Sequence, residues 1–179
     1  MDSINQQQPE ENHADLTGAP AIAKVQELVK QAPTCFFCTA IETGKPAATR
    51  PMAVQTVDAE GTLWFLSATD SHKNAELARD PNVQLMFAGS AHSDFLMIYG
   101  TATISTDPAK IKELWEPLLK VWFTEGEHDP RISVISVVPK TGYYWDTKHN
   151  RAIVFAKLID GAVTGKTFDD SIEGTLRVR

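Results

Sequence analysis

The sequence predicts a mainly β protein with added helices, built as a small antiparallel barrel. Three observations lead there. About seven segments rich in β-branched and aromatic residues recur along the chain. Most are joined by short connections, and short connections force antiparallel neighbours. Helical spacing is confined to a few short segments between them. The 179 residues, 42% hydrophobic and 22% charged, match one soluble globular domain. A chain of this length buries a core without metals or disulfides.

The elements follow in order. AIAKVQELVKQA (21–32) carries apolar residues at Ile22, Val25, Leu28 and Val29, a helical spacing that Pro33 ends. CFFCTAI (35–41), AATRPMAVQTV (47–57) and TLWFLSA (62–68) read as a three-strand meander with turns at 42–46 and 58–61. Pro51 cannot donate to a ladder, so it must lie at an edge or bulge. SHKNAELARD (71–80) is a short helix capped by Asp70 or Ser71 and closed by Pro81. NVQLMFA (82–88) is a strand, and DFLMIYGTATIST (94–106) is a long strand with Gly100 as its expected bulge. Asp107 and Pro108 open a helix through Phe123, kinked by Pro117. RISVISVVP (131–139) and GYYWD (142–146) read as two further strands. The segment 151–160 is ambiguous between strand and helix, and 165–179 reads as weakly structured. The expected organisation is a disordered acidic arm at 1–17, a barrel domain at 18–165 and a tail at 166–179.

The formal net charge is −6, and Asp2, Glu10, Glu11 and Asp15 supply four of those charges within the first twenty residues. No broad basic patch follows, so nucleic acid is not expected as a partner. No run of 18 apolar residues occurs, so no membrane span is expected. The first residues show no basic and apolar leader pattern, so the expected compartment is the cytoplasm.

Cys35 and Cys38 form a C-x-x-C. A zinc site needs about four ligands, and no second pair is at hand. The intervening Phe36 and Phe37 make the segment a strand, where residues three apart point to opposite faces. The expected role is structural. His92, His128 and His149 lie on loops, where lone histidines are mostly solvated, and no catalytic base is assigned among them.

The densest polar cluster is Ser67-Ala68-Thr69-Asp70-Ser71-His72-Lys73, at the junction of a strand and a helix. A helix start offers unpaired N–H groups and partial positive charge, and so attracts phosphate. Hydroxyls at Ser67, Thr69 and Ser71 add donors. Lys73 opposes the helix dipole unless an anion sits nearby. The alternative is a capped surface helix with a solvated lysine. Arg50 is expected on a strand paired with the one leading to Ser67, from which its fork reaches the same anion. The alternative is an edge-strand arginine in water. Neither phosphate-loop nor dinucleotide glycine motifs occur.

The run ATRPMAVQTVDAEGTLWFLSATDSHKNAELARDPNVQLMF resembles the flavin-binding core of the pyridoxamine 5′-phosphate oxidase-like split-barrel superfamily. YGTATISTDPAKIKELWEPLLKVWF, followed by HDPRISVISVVPKTGYYWD, narrows the resemblance to the FMN-binding general stress protein 26 family. The resemblance implies a split β-barrel and a homodimer with flavin at the subunit interface. The flavin is FMN, with FAD or another flavin as alternatives. It also implies phosphate contacts from Arg50, Ser71 and Lys73, with Ser67 and Thr69 nearby, and ring contacts at Met52 and Leu66. Trp122 would edge the ring from a partner subunit, although core packing of Trp115, Trp122 and Phe123 is the competing reading. Gln55 and His72 stand where the oxidases carry basic residues. LRVR at the end is not the arginine-rich motif those enzymes use on vitamin B6 substrates, so that oxidation is disfavoured. Three functions remain open: flavin-dependent hydride or electron transfer, flavin storage or sensing without turnover, and a split barrel that binds another anion or haem.

Overall fold

The computed structural model describes residues 12–89, 94–147 and 171–178. Its elements are β1 (Leu16–Thr17), α1 (Ala19–Gln31), β2 (Thr34–Thr39), β3 (Ala48–Ala53), β4 (Thr56–Val57), β5 (Leu63–Ala68), α2 (His72–Arg79), β6 (Asn82–Ala88), β7 (Phe95–Ser105), α3 (Pro108–Leu114), β8 (Ile132–Thr147) and β9 (Ser171–Arg177). Short 3-10 turns at Pro117–Val121 and Gly126–His128 join α3 to β8. The expectations for 1–11, for the loop at 90–93 with His92, and for His149 and 151–160 fall outside the described residues.

The main path runs β1-β9-β8-β7-β6-β2-β3, and β5 joins it on β8. β8 is the strand where the barrel splits. Its first half pairs with both β5 and β7, and its second half with β7 and β9. The sheet is therefore mainly antiparallel but not closed, a split barrel. β8 is one strand, not the two expected, because Pro139 falls opposite Gly100, where the register shifts. A bulge tolerates a residue without an N–H. A Cβ on Gly100 would come within 2.6 Å of the Val138 carbonyl, so only glycine lets the strands approach there.

Strand β5 is buried on both faces. Leu63 and Phe65 enter the main core with Phe37, Leu85, Ile98, Ile135 and α1 residues Val25 and Leu28. Leu66 enters a second cluster with Ile111, Leu114, Phe123, Ile132 and Val134. Two-sided burial explains why LWFL is continuously apolar. Asp58 pins the turn before it: its carboxylate accepts from the Thr62 N–H (2.8 Å) and the Trp64 indole N–H (2.9 Å).

Three expectations change. The segment 47–57 is not one strand: β3 pairs with β2 and β4 with β5. Arg50 therefore lies on an edge strand that does not pair with the strand leading to Ser67. Pro51 is consistent with that edge, but β3 holds unbroken register with β2, without a bulge there. Second, the helix after Pro108 ends at Leu114. Trp115 and Glu116 are extended (ψ 130° and 143°) because proline pushes the residue before it out of helical geometry. Trp115 packs near Phe123, whereas Trp122 is 63% exposed, so the two tryptophans do not share a helical face. Third, 171–177 form β9, and Leu16–Thr17 pair parallel to it. Backbone groups do that work: Ala14 N–H donates to the Glu173 carbonyl and Gly18 N–H to that of Arg177. Edge pairing of this kind needs few apolar side chains, so composition did not signal it. Among the described residues, no helix is long and apolar enough to cross a membrane.

The cysteines behave as the period of a strand requires. Both are free and buried in β2, Cys35 inside the main core and Cys38 outside it. Burial, with Cys38 nearby, pushes the Cys35 thiol up to about 12.

Candidate functional site

Helix α2 starts where β5 ends, and two polar clusters meet there. Ser71 is its N-cap; the Asn74 N–H donates to the Ser71 hydroxyl at 3.3 Å. Asn74 is buried and links both strands beneath the helix. Ser67 and Ser71 hydroxyls donate to its amide oxygen at 2.9 and 3.1 Å. Its amide nitrogen donates to the Ser133 hydroxyl at 2.8 Å, and Ser133 donates to the Ser67 carbonyl at 3.1 Å. The network closes on itself.

The second cluster is charged. Arg50, from the edge of β3, donates to Glu76 at 2.5 Å, to the Thr39 hydroxyl at 2.5 Å and to the Ala48 carbonyl at 3.2 Å. The Thr39 hydroxyl donates to the same Glu76 carboxylate. β2 therefore bridges β3 to α2 through Thr39, and Arg50 reaches α2 by crossing above β2 instead of by pairing with β5. Lys73 lies one turn before Glu76 on the same helix face. It is half-buried, and among the described residues it makes no hydrogen bond or ion pair. Burial first, and then the Arg50 charge, pull its ammonium below the ordinary value of 10.5, while Glu76 pulls the other way. The cluster carries two cations and one carboxylate.

The structure thus brings Arg50, Lys73, Ser67 and Ser71 to one end of α2. Thr69 and His72 are exposed on the same turn. Thr69 N–H donates to the Arg131 carbonyl at 2.7 Å, and the Arg131 guanidinium donates to the Trp122 carbonyl at 3.3 Å. Trp122 is therefore tied to the α2 turn through one intervening residue. Arg131 is itself held by Asp129 at 2.8 Å, and it lowers the Asp129 carboxyl to about 2. Met52 and Leu66 turn their side chains into the two cores. Gln55 stands elsewhere: it lines a cavity of about 330 Å³ with Gln26, Lys30 and Thr56, and its side chain donates to the Ala53 carbonyl. Sequence reasoning missed Glu76, Thr39, Asn74 and Ser133. Only Glu76 left a signal, three residues after Lys73 on a helix; the others depend on strand pairing.

The geometry suits a phosphate. A half-buried lysine without a salt bridge, a forked arginine and the exposed Thr69 hydroxyl at a helix start are donors such a dianion uses. Among the described residues there is no group of His, Cys, Asp and Glu that would hold a metal ion.

Comparisons with known proteins bear on the family and the fold. The sequence profile of the family described as pyridoxamine 5′-phosphate oxidase like matches residues 20–169. Protein bli-3 of Neurospora crassa is 32% identical over 126 residues, covering 65% of this chain. The match spans only 60% of that curated relative's length. Among solved structures, a Jannaschia sp. CCS1 protein assigned to general stress protein 26 superposes with a TM-score of 0.73 at 20% identity, over 87% of this chain and 96% of that one. General stress protein 26 of Bacillus anthracis gives 0.59 at 22% identity, over 69% and 92%. The general stress FMN/FAD binding protein of Xanthomonas citri gives 0.56 at 23%, over 66% and 82%. At these identities the structural likeness establishes the fold.

Proposed function

The chain belongs to the pyridoxamine 5′-phosphate oxidase-like family, and from that premise we propose that it is an FMN-binding general stress protein that acts as an oxidoreductase. The observation that carries the reading is the half-buried Lys73 in the first turn of α2, which makes no salt bridge among the described residues and feels the charge of Arg50. The Xanthomonas citri neighbour, named for FMN or FAD binding, supports it.

In this reading Arg50 and Lys73 hold the flavin phosphate, with Thr69 as a hydroxyl donor, Ser71 capping the helix that presents Lys73, and His72 at the rim. Ser67 supports the turn from below through Asn74. Met52 and Leu66 offer backbone, since their side chains face the cores; β3 is an edge strand, and its outer backbone groups are open to a planar ring. FMN, when bound, supplies hydride or electron transfer at its isoalloxazine ring, and the protein supplies orientation and exclusion of water. A homodimer completes the site, with Trp122 reaching the partner's flavin. Leu118, Val121 and Trp122 form an exposed apolar turn, and Phe36, Met86 and Tyr99 are exposed on the adjacent strands β2, β6 and β7. Phe36 and Met86 are direct cross-strand partners, and exposed apolar surface of that kind supports an interface. Two free buried thiols suit a reducing cytoplasm.

A second reading, flavin storage or sensing without turnover, is favoured by one observation: Arg50 is already paired with Glu76, which weakens its hold on a phosphate. The test is the absorbance spectrum of the purified protein with mass identification of its cofactor. FMN bands support the reading; a colourless protein that takes up no added flavin overturns it. FAD in place of FMN corrects the cofactor alone. Anaerobic bleaching of the bound flavin by NADH or NADPH then separates turnover from storage.

A further inference from the structure

We propose that Glu76 is a built-in competitor for the anion site, setting how strongly this protein prefers a phosphorylated flavin over an unphosphorylated one. This inference rests on the flavin reading above. Glu76 holds Arg50 at 2.5 Å, and Thr39 donates both to that carboxylate and, as acceptor, receives Arg50. Three groups from β2, β3 and α2 therefore close a triangle in which the Glu76 carboxylate takes one arm of the arginine fork, and Thr39 with the Ala48 carbonyl takes the other. Glu76 lies on the helix one turn beyond Lys73, yet its ion pair goes to Arg50.

The charge arithmetic gives the consequence. Two cations and one carboxylate leave the cluster at a net single positive charge. An incoming phosphate dianion meets a carboxylate that repels it and an arginine that must change partners to contact it. Riboflavin has no phosphate and meets neither cost. Glu76 therefore acts on FMN and not on riboflavin, and it keeps the arginine satisfied while no anion is present, which limits the penalty of leaving a half-buried guanidinium unpaired. The low pull on the Lys73 proton fits the same arrangement: its charge is held at a cost that a bound anion relieves.

The experiment compares the full-length protein with Glu76→Gln, which keeps the shape and a hydrogen-bond acceptor for Thr39 and Arg50. Cofactor is removed, and FMN and riboflavin affinities are measured by flavin fluorescence quenching. Thermal unfolding with and without inorganic phosphate is measured in parallel. The expected result is an FMN affinity raised roughly tenfold or more, within the usual 5- to 150-fold span of coupled binding, with riboflavin affinity unchanged. Phosphate should also raise the melting temperature of the variant more than that of the natural protein. A Glu76→Gln protein that binds FMN equally or more weakly overturns the inference, because Glu76 then only orients Arg50. If the variant does not fold, Glu76→Asp serves: its shorter reach loosens the grip on Arg50, and FMN affinity should rise above that of the natural protein, no rise counting against the inference. Failure of the natural protein to bind FMN while riboflavin or another flavin binds overturns the flavin-phosphate reading itself, and this inference with it.

Discussion

The two polar clusters at the start of α2 are neighbours in space and opposites in design. The Ser67–Ser71–Asn74–Ser133 network is buried apart from the half-buried Ser71, and both ends of the Asn74 amide are matched by hydroxyls within 3.1 Å. The Arg50–Glu76–Lys73 cluster is only half-buried and has one more cation than anion. A closed polar network fixes a fold, since any lost partner leaves a buried group unsatisfied. A cluster with charge left over is a site that gains from a ligand. The difference teaches that polarity alone does not mark function; unbalanced polarity does.

Four predictions break or sharpen that contrast. The largest effect should come from Arg50→Ala combined with Lys73→Ala. Charge-assisted contacts contribute about 1.5–3 kcal/mol each, so FMN affinity should fall roughly 100-fold or more in a fluorescence titration. Folding stability should fall by only about 1 kcal/mol in urea, because the ion pair with Glu76 is partly exposed. Comparable losses in both quantities would erase the contrast. Next is the mirror variant, Asn74→Ala. It strands Ser67, Ser71 and Ser133, so stability should drop by about 2–3 kcal/mol while FMN affinity changes little. A large affinity loss with no stability loss would place Asn74 in the ligand site.

A smaller effect concerns pH. Lys73 is held below its ordinary 10.5, so it loses its proton earlier than a free lysine as pH rises. FMN affinity should therefore decline on the alkaline side before lysines ordinarily titrate, and riboflavin affinity should not follow it. Bound phosphate favours the charged lysine, so FMN binding at alkaline pH should be accompanied by proton uptake, measurable by calorimetry in two buffers. A flat FMN profile up to ordinary lysine titration would show that Lys73 does not face the phosphate. The smallest effect is a null. With its thiol at about 12, Cys35 carries no thiolate near neutrality. Its proton is also lost later in the folded than in the unfolded protein, so stability should weaken only above about pH 9, the range in which an unfolded thiol ionises. A thiol reagent that modifies Cys35 in the folded protein at neutral pH would contradict this.

Much of the fold was legible because it rests on local rules. Period-2 apolar runs marked the strands, Asp107 and Pro108 marked the start of α3, and Gly100 marked the bulge. β9 and β1 were not legible, since SIEGTLR and LT are held by backbone bonding at a sheet edge and carry little of the apolar alternation that signals a strand. Pro117 was visible as a disturbance, but whether a proline kinks a helix or ends it depends on tertiary packing around Trp115 and Phe123. At the site, Arg50 and Lys73 were legible as residue types, yet the route that joins them was not. Arg50 reaches α2 across β2, through Thr39, and only the order β6-β2-β3 reveals that. Glu76 had no role in the sequence reading, because its contact with Arg50 depends on the same crossing of β2.

The measurement that tests the central claim most directly is a side-by-side titration of the natural protein, stripped of cofactor, with FMN and with riboflavin. If Arg50 and Lys73 form a phosphate site, FMN binds at least tenfold more tightly than riboflavin, and added inorganic phosphate competes with FMN only. Equal affinities for the two flavins, with no competition from phosphate, would contradict the account.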